Sequence, residues 1–461
     1  MVFSAKAGTG LATRRVATGK KVLVIPHEFR YSRSQSTTKG IRAVADRTPK
    51  YLSRPASFVI RPAPGWVDLV AGEFAGFVAN PVARYKFTPE FKVENGVIRA
   101  SNVDFRQALE WCMRSMTAHD VEWLAWEGRC TSWKGLAKAC DEMKASGFLP
   151  GGIKAHVTAK ANASFVVSSA VIREHFLESL GAGSDENADL RFRLDLYRDR
   201  LRVLVSLAGE PLYKRGYKKH LTGAAAPLPE HQAAACVRAT LKGLDGASAG
   251  DFTGVYVPFA GTGTLAFECV AAQMGLGGGS FGRRYAFESF AGMPEATIAH
   301  IRKKLAPDAA RLAPLVCVER SEDVLADLRD NAGYFCELTG ISPESIHVAG
   351  GDFFKSDGDG VLRRIASHGA NILMLLNPPY GQRLKAPAEA RKYFTRIADR
   401  IADLEMKTGA AISGMCLIPD ESASAAFVKL LKKTHKMTTT HFTHGGADMR
   451  LAVFRHHPVD M

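Results

Sequence analysis

Asn377, Pro378, Pro379 and Tyr380 are the residues whose types and order could do chemistry in this chain. They close an apolar run, residues 371–376, that reads as a buried parallel strand. Neither proline carries an N–H, so a sheet ladder cannot continue through them. The segment can instead point acceptors outward, the Asn377 side-chain oxygen and the Pro378 carbonyl, with an aromatic ring two residues on. Two acceptors and a ring suit an exocyclic amine on a flat base: the acceptors take its hydrogens and the ring stacks on the base. A loop that merely contains Pro-Pro reads the same way in isolation, so neighbouring strand ends must decide.

Three further strand ends carry suitable groups. Pro258 leads into Ala260-Gly261-Thr262-Gly263-Thr264, between a strand at 254–259 and a helical run at 265–274. Glycines there let the backbone approach a ligand, and a helix N-terminus offers free N–H groups. Gly-x-Gly alone is a weak signal, and this is not the lysine-bearing phosphate loop. The next strand ends in Glu319, where a carboxylate could accept both ribose hydroxyls of an adenosyl group, or simply cap a helix. The one after ends in Gly351-Asp352-Phe353, a carboxylate for an adenine amine and a ring to cover the base; Asp352 in a turn is the bland alternative. Their ordered placement on successive strands, together with Asn377, suggests methyl transfer from S-adenosylmethionine.

The elements that must position these groups follow an α/β rhythm. Apolar strands at 254–259, 314–318, 346–349, 371–376 and 411–418 alternate with helical patterns, which predicts a doubly wound parallel sheet. Runs at 438–443 and 450–454 flank His444-Gly445-Gly446 as a terminal hairpin. Upstream, strands near 58–60, 97–98 and 154–158 and helices at 104–116, 132–143 and 171–180 suggest a separate α+β unit. Gly181 to Asn187 reads as the linker, and 190–207 as a hairpin turning at Arg198-Asp199. We therefore divide the chain into a leader (1–55), an α+β region (56–183) and a parallel-sheet domain (184–461).

Composition narrows the function classes. The chain has 461 residues, 46% of them hydrophobic and 23% charged, as in a globular protein. No apolar stretch reaches the roughly eighteen residues of a membrane span. Eight scattered cysteines without a Cys-x-x-Cys pair argue for reduced thiols, against disulfides and against zinc. His435, His441, His444, His456 and His457 have no acidic ligand set close by in sequence, and no metal is expected.

With these motifs in hand, residues 58–455 resemble the THUMP-containing RNA guanine-N2-methyltransferases, especially the large-subunit ribosomal RNA type. The resemblance rests on Gly209-Glu210-Pro211-Leu212-Tyr213-Lys214-Arg215-Gly216-Tyr217 and Ala226-Pro227-Leu228-Pro229-Glu230. The glycine loop with Glu268, the 284–288 element, Asn331-Ala332 and Asn377–Tyr380 with Gly381 follow in family order. It implies a class I, Rossmann-like methyltransferase sheet with a C-terminal antiparallel hairpin, preceded by ferredoxin-like and THUMP modules. It also implies an S-adenosylmethionine cofactor and an RNA partner, ribosomal RNA before tRNA, with Lys214, Arg215 and Tyr217 lining an RNA or cofactor entrance. The chain departs from the family at Val257, where an Asp is usual, and at Ala260, where a Cys is common. Losing the Asp removes a carboxylate from around the methionine amino group. A non-catalytic, RNA-binding ribosome assembly factor therefore stays open, as does an N6-adenine methyltransferase.

The net charge of +15 is uneven. Residues 1–55 carry twelve Lys or Arg against Glu28 and Asp46, a net of +10, leaving +5 for the rest. A basic leader rich in Arg, Ser, Thr and Ala has the composition of an organelle transit peptide, with Arg30-Tyr31-Ser32 as the expected processing point. A basic arm gripping RNA phosphates is the compatible alternative. Fused to a fluorescent reporter, residues 1–55 are expected to direct it to mitochondria; a reporter that stays cytosolic contradicts the assignment.

Overall fold

The computed structural model describes residues 49–80, 85–220, 228–305, 312–355, 360, 362–379 and 387–457. Nearly all of the basic leader lies outside them. The described chain lays down two sheets in succession.

Helix α1 (Lys50–Ser53) leads into β1 (Ala56–Pro62), α2 (Val67–Ala79), β2 (Glu90–Glu94), β3 (Val97–Val103), α3 (Phe105–Arg114) and β4 (Ala118–Arg129). This βαββαβ unit is ferredoxin-like, with antiparallel strand order β2-β3-β1-β4. Next come α4 (Trp133–Ser146), β5 (Lys154–Asn162), α5 (Ser169–Leu180), β6 (Gly183–Ser184), β7 (Arg191–Tyr197) and β8 (Arg200–Ser206). Because β4 pairs with both β1 and β8, one sheet runs β2-β3-β1-β4-β8-β7-β5-β6. Local chemistry sets the helix ends: Asp104, Ser132 and Ser168 accept N–H bonds at the starts of α3, α4 and α5. Gly147 and Gly181 close α4 and α5 in the left-handed conformation.

The expected hairpin is β7–β8, turning through Arg198 and Asp199 at φ 48° and 53°, as a two-residue primed turn requires. It completes the first sheet, so the change of sheet falls after Ser206 and not at 183/184 as the sequence suggested. The presumed linker also contributes an edge strand, β6, paired with β5.

The second sheet contains β9 (Gly254–Val257), β10 (Leu315–Glu319), β11 (Ile346–Gly350), β12 (Asn371–Leu376), β13 (Ala411–Ile418), β14 (His435–His444) and β15 (Ala447–His456). Helices α6 (Glu230–Gly243), α7 (Thr264–Gln273), α8 (Glu295–Lys304), α9 (Glu322–Thr339), α10 (Pro387–Thr408) and α11 (Glu421–Leu431) are interspersed. The order is β11-β10-β9-β12-β13-β15-β14, parallel through β13 and then antiparallel. This is the Rossmann-like class I methyltransferase sheet with its terminal hairpin. Side chains alternate across it: Val255 and Val257 enter one apolar cluster, Tyr256 the other. The first sheet has its own core, but Trp66 leaves it to pack 5.0 Å from the Phe442 ring of β14. Among the described residues no helix is long and apolar enough to cross a membrane.

Gly414 of β13 is paired with Met374 of β12, and a Cβ added there would overlap the Met374 carbonyl. Backbone at the sheet centre cannot give way as a flexible side chain can. Gly414→Ala is expected to destabilise the protein by about 3 kcal/mol or more, read from the urea midpoint. A shift below about 1 kcal/mol would show that the sheet relaxes there.

Candidate active site at the carboxyl ends of the second sheet

Strand order reverses at β9: the chain moves outward through β10 and β11, then returns to the other side with β12. Ligands of open α/β sheets bind at the carboxyl ends beside such a switch point. The Gly261–Gly263 turn, Glu319, Asp352 and Asn377 follow β9, β10, β11 and β12, so the fold brings four separated segments to one edge.

The glycines have distinct jobs. Gly261 has φ 54° and nothing within 4 Å of the place a Cβ would take, so its backbone faces open space. Gly263 has φ 97°, and a Cβ would strike the Phe267 ring and Leu328. Gly263, at the start of α7, has no side chain of its own with which to cap the helix. Pro258 and Ala260 are buried beneath the turn, and the Ala260 N–H donates to the Val318 carbonyl at 3.1 Å. Val257 is wholly buried, filling the apolar cluster behind them.

Glu319 is more heavily engaged than its sequence role required. Its Oε2 accepts the Gly261 N–H at 3.0 Å, and its Oε1 accepts those of Arg320 and Ser321, each at 2.9 Å. A carboxylate has about four acceptor sites. While these bonds stand, one hydroxyl can be accommodated and two cannot. Asp352 accepts the Phe354 N–H at 3.0 Å and lies 3.8 Å from Arg320. Phe353 is corrected: at 2% exposure it packs on Phe259 inside the core and cannot cover a base. Phe354, the next ring, is only half-buried and sits under the Arg396 guanidinium.

At the end of β12, Pro378 is buried and Asn377 half-buried. The Asn377 Oδ1 is buried and accepts no hydrogen bond from any described group. Native proteins leave few such acceptors, and each calls for an explanation. Tyr380 lies outside the described residues.

The expected entrance residues divide. Lys214 is exposed and paired with Glu210 at 2.6 Å. Arg215 and Tyr217 are 0% and 1% exposed, so they line no entrance. Arg215 clasps Glu268 of α7 through Nε at 2.8 Å and a terminal nitrogen at 3.2 Å, and also reaches the Met116 carbonyl of the first lobe. The Tyr217 hydroxyl donates to Glu268 at 2.6 Å. Burial opposes the charge of Arg215, but Glu268 outweighs it and holds the guanidinium firmly protonated. Burial and Glu268 together push the Tyr217 phenol up.

Sequence reasoning assigned no role to three residues that shape this edge. Asn331 of α9, fully buried, accepts the Lys219 and His220 N–H groups and donates to the carbonyls of His220 and Thr262, clipping a preceding loop to the glycine turn. Lys218, almost wholly buried, pairs with Glu230 and donates to the Thr264 hydroxyl at 3.0 Å. Arg283 gathers the carbonyls of Ala208, Glu210, Pro211 and Lys214. Only Asn331 left a trace, as part of a family motif; the others depend on distant partners.

No protein-family model matches the chain. It is similar to ribosomal RNA large subunit methyltransferase K/L of Alcanivorax borkumensis, 29% identical over 201 residues, 44% of this chain and 26% of the relative. The Saccharophagus degradans protein of the same name is 29% identical over 224 residues, 46% of this chain and 27% of that one. The matches thus span about a quarter of these relatives' length. Among solved structures, a putative methyltransferase complexed with SAH superposes with a TM-score of 0.68 at 18% identity, over 88% of this chain and all of that one. TrmN from Thermus thermophilus gives 0.56 at 18%, over 87% of this chain and all of that one. A predicted N6-adenine-specific DNA methylase from Listeria monocytogenes gives 0.63 at 17%, covering 87% and 97%. Both sheets are therefore shared with the methyltransferase structures, and the chain is a homologue of the K/L proteins over the matched stretch.

The Arg215–Glu268 pair yields a test. Glu268→Leu strands a buried guanidinium and is expected to cost about 3–5 kcal/mol in chemical denaturation, whereas adding Arg215→Met should recover part of the loss. A Glu268→Leu effect below about 1 kcal/mol would mean the pair is not buried in solution.

Proposed function

We propose that this chain is an S-adenosylmethionine-dependent RNA methyltransferase acting on the N2 amine of a guanosine, in mitochondrial ribosomal RNA. The observation that carries the reading is the buried Asn377 Oδ1, without a hydrogen-bond partner among the described residues, at the switch point of a methyltransferase sheet. An acceptor left without a donor costs about 1–3 kcal/mol, a loss that an incoming amine would reverse.

The residues present suit the cofactor. The open Gly261 backbone and the start of α7 would face its methionine end, Glu319 a ribose hydroxyl and Asp352 the adenine amine. When bound, S-adenosylmethionine supplies an electrophilic methyl group. The chain's own work is positioning: Asn377 Oδ1 and the Pro378 carbonyl accept the amine's hydrogens and so direct its lone pair outward. Tyr380 is assigned the stacking role on a base flipped out of its helix, a step cheapest in an unpaired loop. No strong base is invoked, because the nitrogen would become cationic and acidic as its bond to the methyl carbon forms and could then pass its proton to solvent. The α+β lobe is read as the ferredoxin-like and THUMP-type RNA module, and the basic leader as the mitochondrial import signal.

A second reading is specifically favoured by Val257: an assembly factor that binds ribosomal RNA without methylating it. A buried valine cannot accept a hydrogen bond, and a lost bond to a charged group weakens binding about tenfold to hundredfold. Calorimetry is therefore expected to show weak but measurable S-adenosylmethionine binding. Asn377→Ala should abolish methyl transfer to RNA and leave RNA affinity nearly unchanged, because phosphate contacts dominate affinity. Full activity in Asn377→Ala would refute the amine-binding role. No binding at millimolar cofactor, with RNA present, would establish the second reading instead.

A further inference from the structure

At the opposite pole of the second sheet, three elements bring donor groups to one point. Glu405 comes from the last turns of α10, His435 is the first residue of β14, and His456 is the last of β15. The two histidines are cross-strand partners in register, their rings 5.6 Å apart. His456 Nδ1 is 2.8 Å from Glu405 Oε1, and His435 Nε2 is 3.3 Å from the same oxygen. One ligand atom from each residue lies within 4.8 Å of the other two. The carboxylate arrives from a helix upstream of the histidines, across β13, so spacing along the sequence does not reveal the grouping.

These spacings match a coordination polyhedron. Zinc bonds of about 2.0–2.2 Å to nitrogen and oxygen, set tetrahedrally, separate neighbouring ligands by roughly 3.3–3.5 Å. The 3.3 Å between His435 Nε2 and Glu405 Oε1 falls in that range, the 2.8 Å between His456 Nδ1 and the same oxygen must open by roughly half an ångström, and the two ring nitrogens lie within 4.8 Å of each other. The chemistry of the set agrees: two imidazoles and one carboxylate are a known three-ligand zinc combination that leaves a fourth position for water.

The surroundings of His435 supply a second argument. Its Nδ1 is 2.9 Å from the Thr434 hydroxyl, and its Nε2 is 2.9 Å from the Ile412 carbonyl as well as 3.3 Å from Glu405. Metal-bound histidines commonly donate the other ring N–H to such a partner. With the hydrogen on Nδ1, that nitrogen donates to Thr434, and Nε2 turns a lone pair toward two oxygens. A cation between them removes the repulsion. With the hydrogen on Nε2, the cluster is satisfied by hydrogen bonds and needs no ion. The tautomer therefore separates the two states of the site.

The geometry points to a divalent-metal site of Glu405, His435 and His456, best matched to zinc. It lies at the amino end of β13, away from Asn377 at the carboxyl end of β12. It clamps α10, the helix that follows the Asn377–Tyr380 segment, to the terminal hairpin. His435 is buried while His456 is 29% exposed on its side chain, which leaves a path for the ion.

The test uses the full chain, stripped with a chelator and titrated with zinc by calorimetry and with cobalt(II) by visible absorption. One equivalent should bind, the Tm should rise with the logarithm of free zinc, and the cobalt bands should have tetrahedral intensity. Glu405→Gln and His456→Gln should each weaken zinc at least tenfold. If the variants fail to fold, the cobalt spectrum of the unaltered chain still decides. The proposal is overturned by no binding and no Tm shift at sub-millimolar zinc, by cobalt bands of octahedral intensity, or by unchanged affinity in both variants, which would place the ion on other histidines.

Discussion

One guanidinium, that of Arg215, sets the relation between the two halves of the molecule. It sits on the segment joining the two sheets, grips Glu268 of the helix behind the glycine turn, and reaches the Met116 carbonyl of the first lobe. A buried ion pair of this kind is no guarantee of net stability, because desolvation consumes most of the Coulombic gain. What it supplies is direction. A planar fork accepts one arrangement of carboxylate and carbonyl, whereas an apolar patch would tolerate sliding. The first lobe and α7 are thereby held in one orientation, with the Tyr217 hydroxyl donating to the same Glu268 oxygen that Arg215 Nε engages.

The second constraint acts at the strand ends. Asn331 joins the loop after Tyr217 to the Thr262 carbonyl, and Glu319 joins β10 to Gly261. A run of polar contacts therefore leads from Arg215 through Glu268 and α7 to the turn that faces open space. Positioning chemistry needs such support, since misplacement of about 1 Å can lower a rate a hundredfold.

Much of this was legible in the sequence, for identifiable reasons. Buried parallel strands are continuous apolar runs, so β9 to β13 stood out and their order along the chain followed. Glycine pairs and capping residues announced the hairpin at Gly445-Gly446 and the starts of α3 and α4. What was hidden depended on partners remote in sequence. A hairpin at 191–206 carries no mark saying which sheet it joins. Arg215 in a basic run reads as surface, because nothing local reveals Glu268. Phe353 and Phe354 are equivalent on paper; the turn after β11 sends the first inward and leaves the second half-exposed.

Val257, too, takes its meaning from partners remote in sequence. Read against the family pattern it is a lost carboxylate; in the fold it is one of the residues sealing the apolar cluster between the sheet and α7. Replacing a buried charge with a well-packed aliphatic side chain often stabilises a fold, because the desolvation penalty disappears. Val257 thus contributes packing, while the position of Asn377 on the neighbouring strand depends on β12 and its pairing with β9 and β13. On the proposed reading, amine recognition and cofactor affinity fall to different strands, so one can weaken while the other keeps its geometry. The Asn377 Oδ1, buried and without a hydrogen-bond partner among the described residues, is the physical argument for a ligand there.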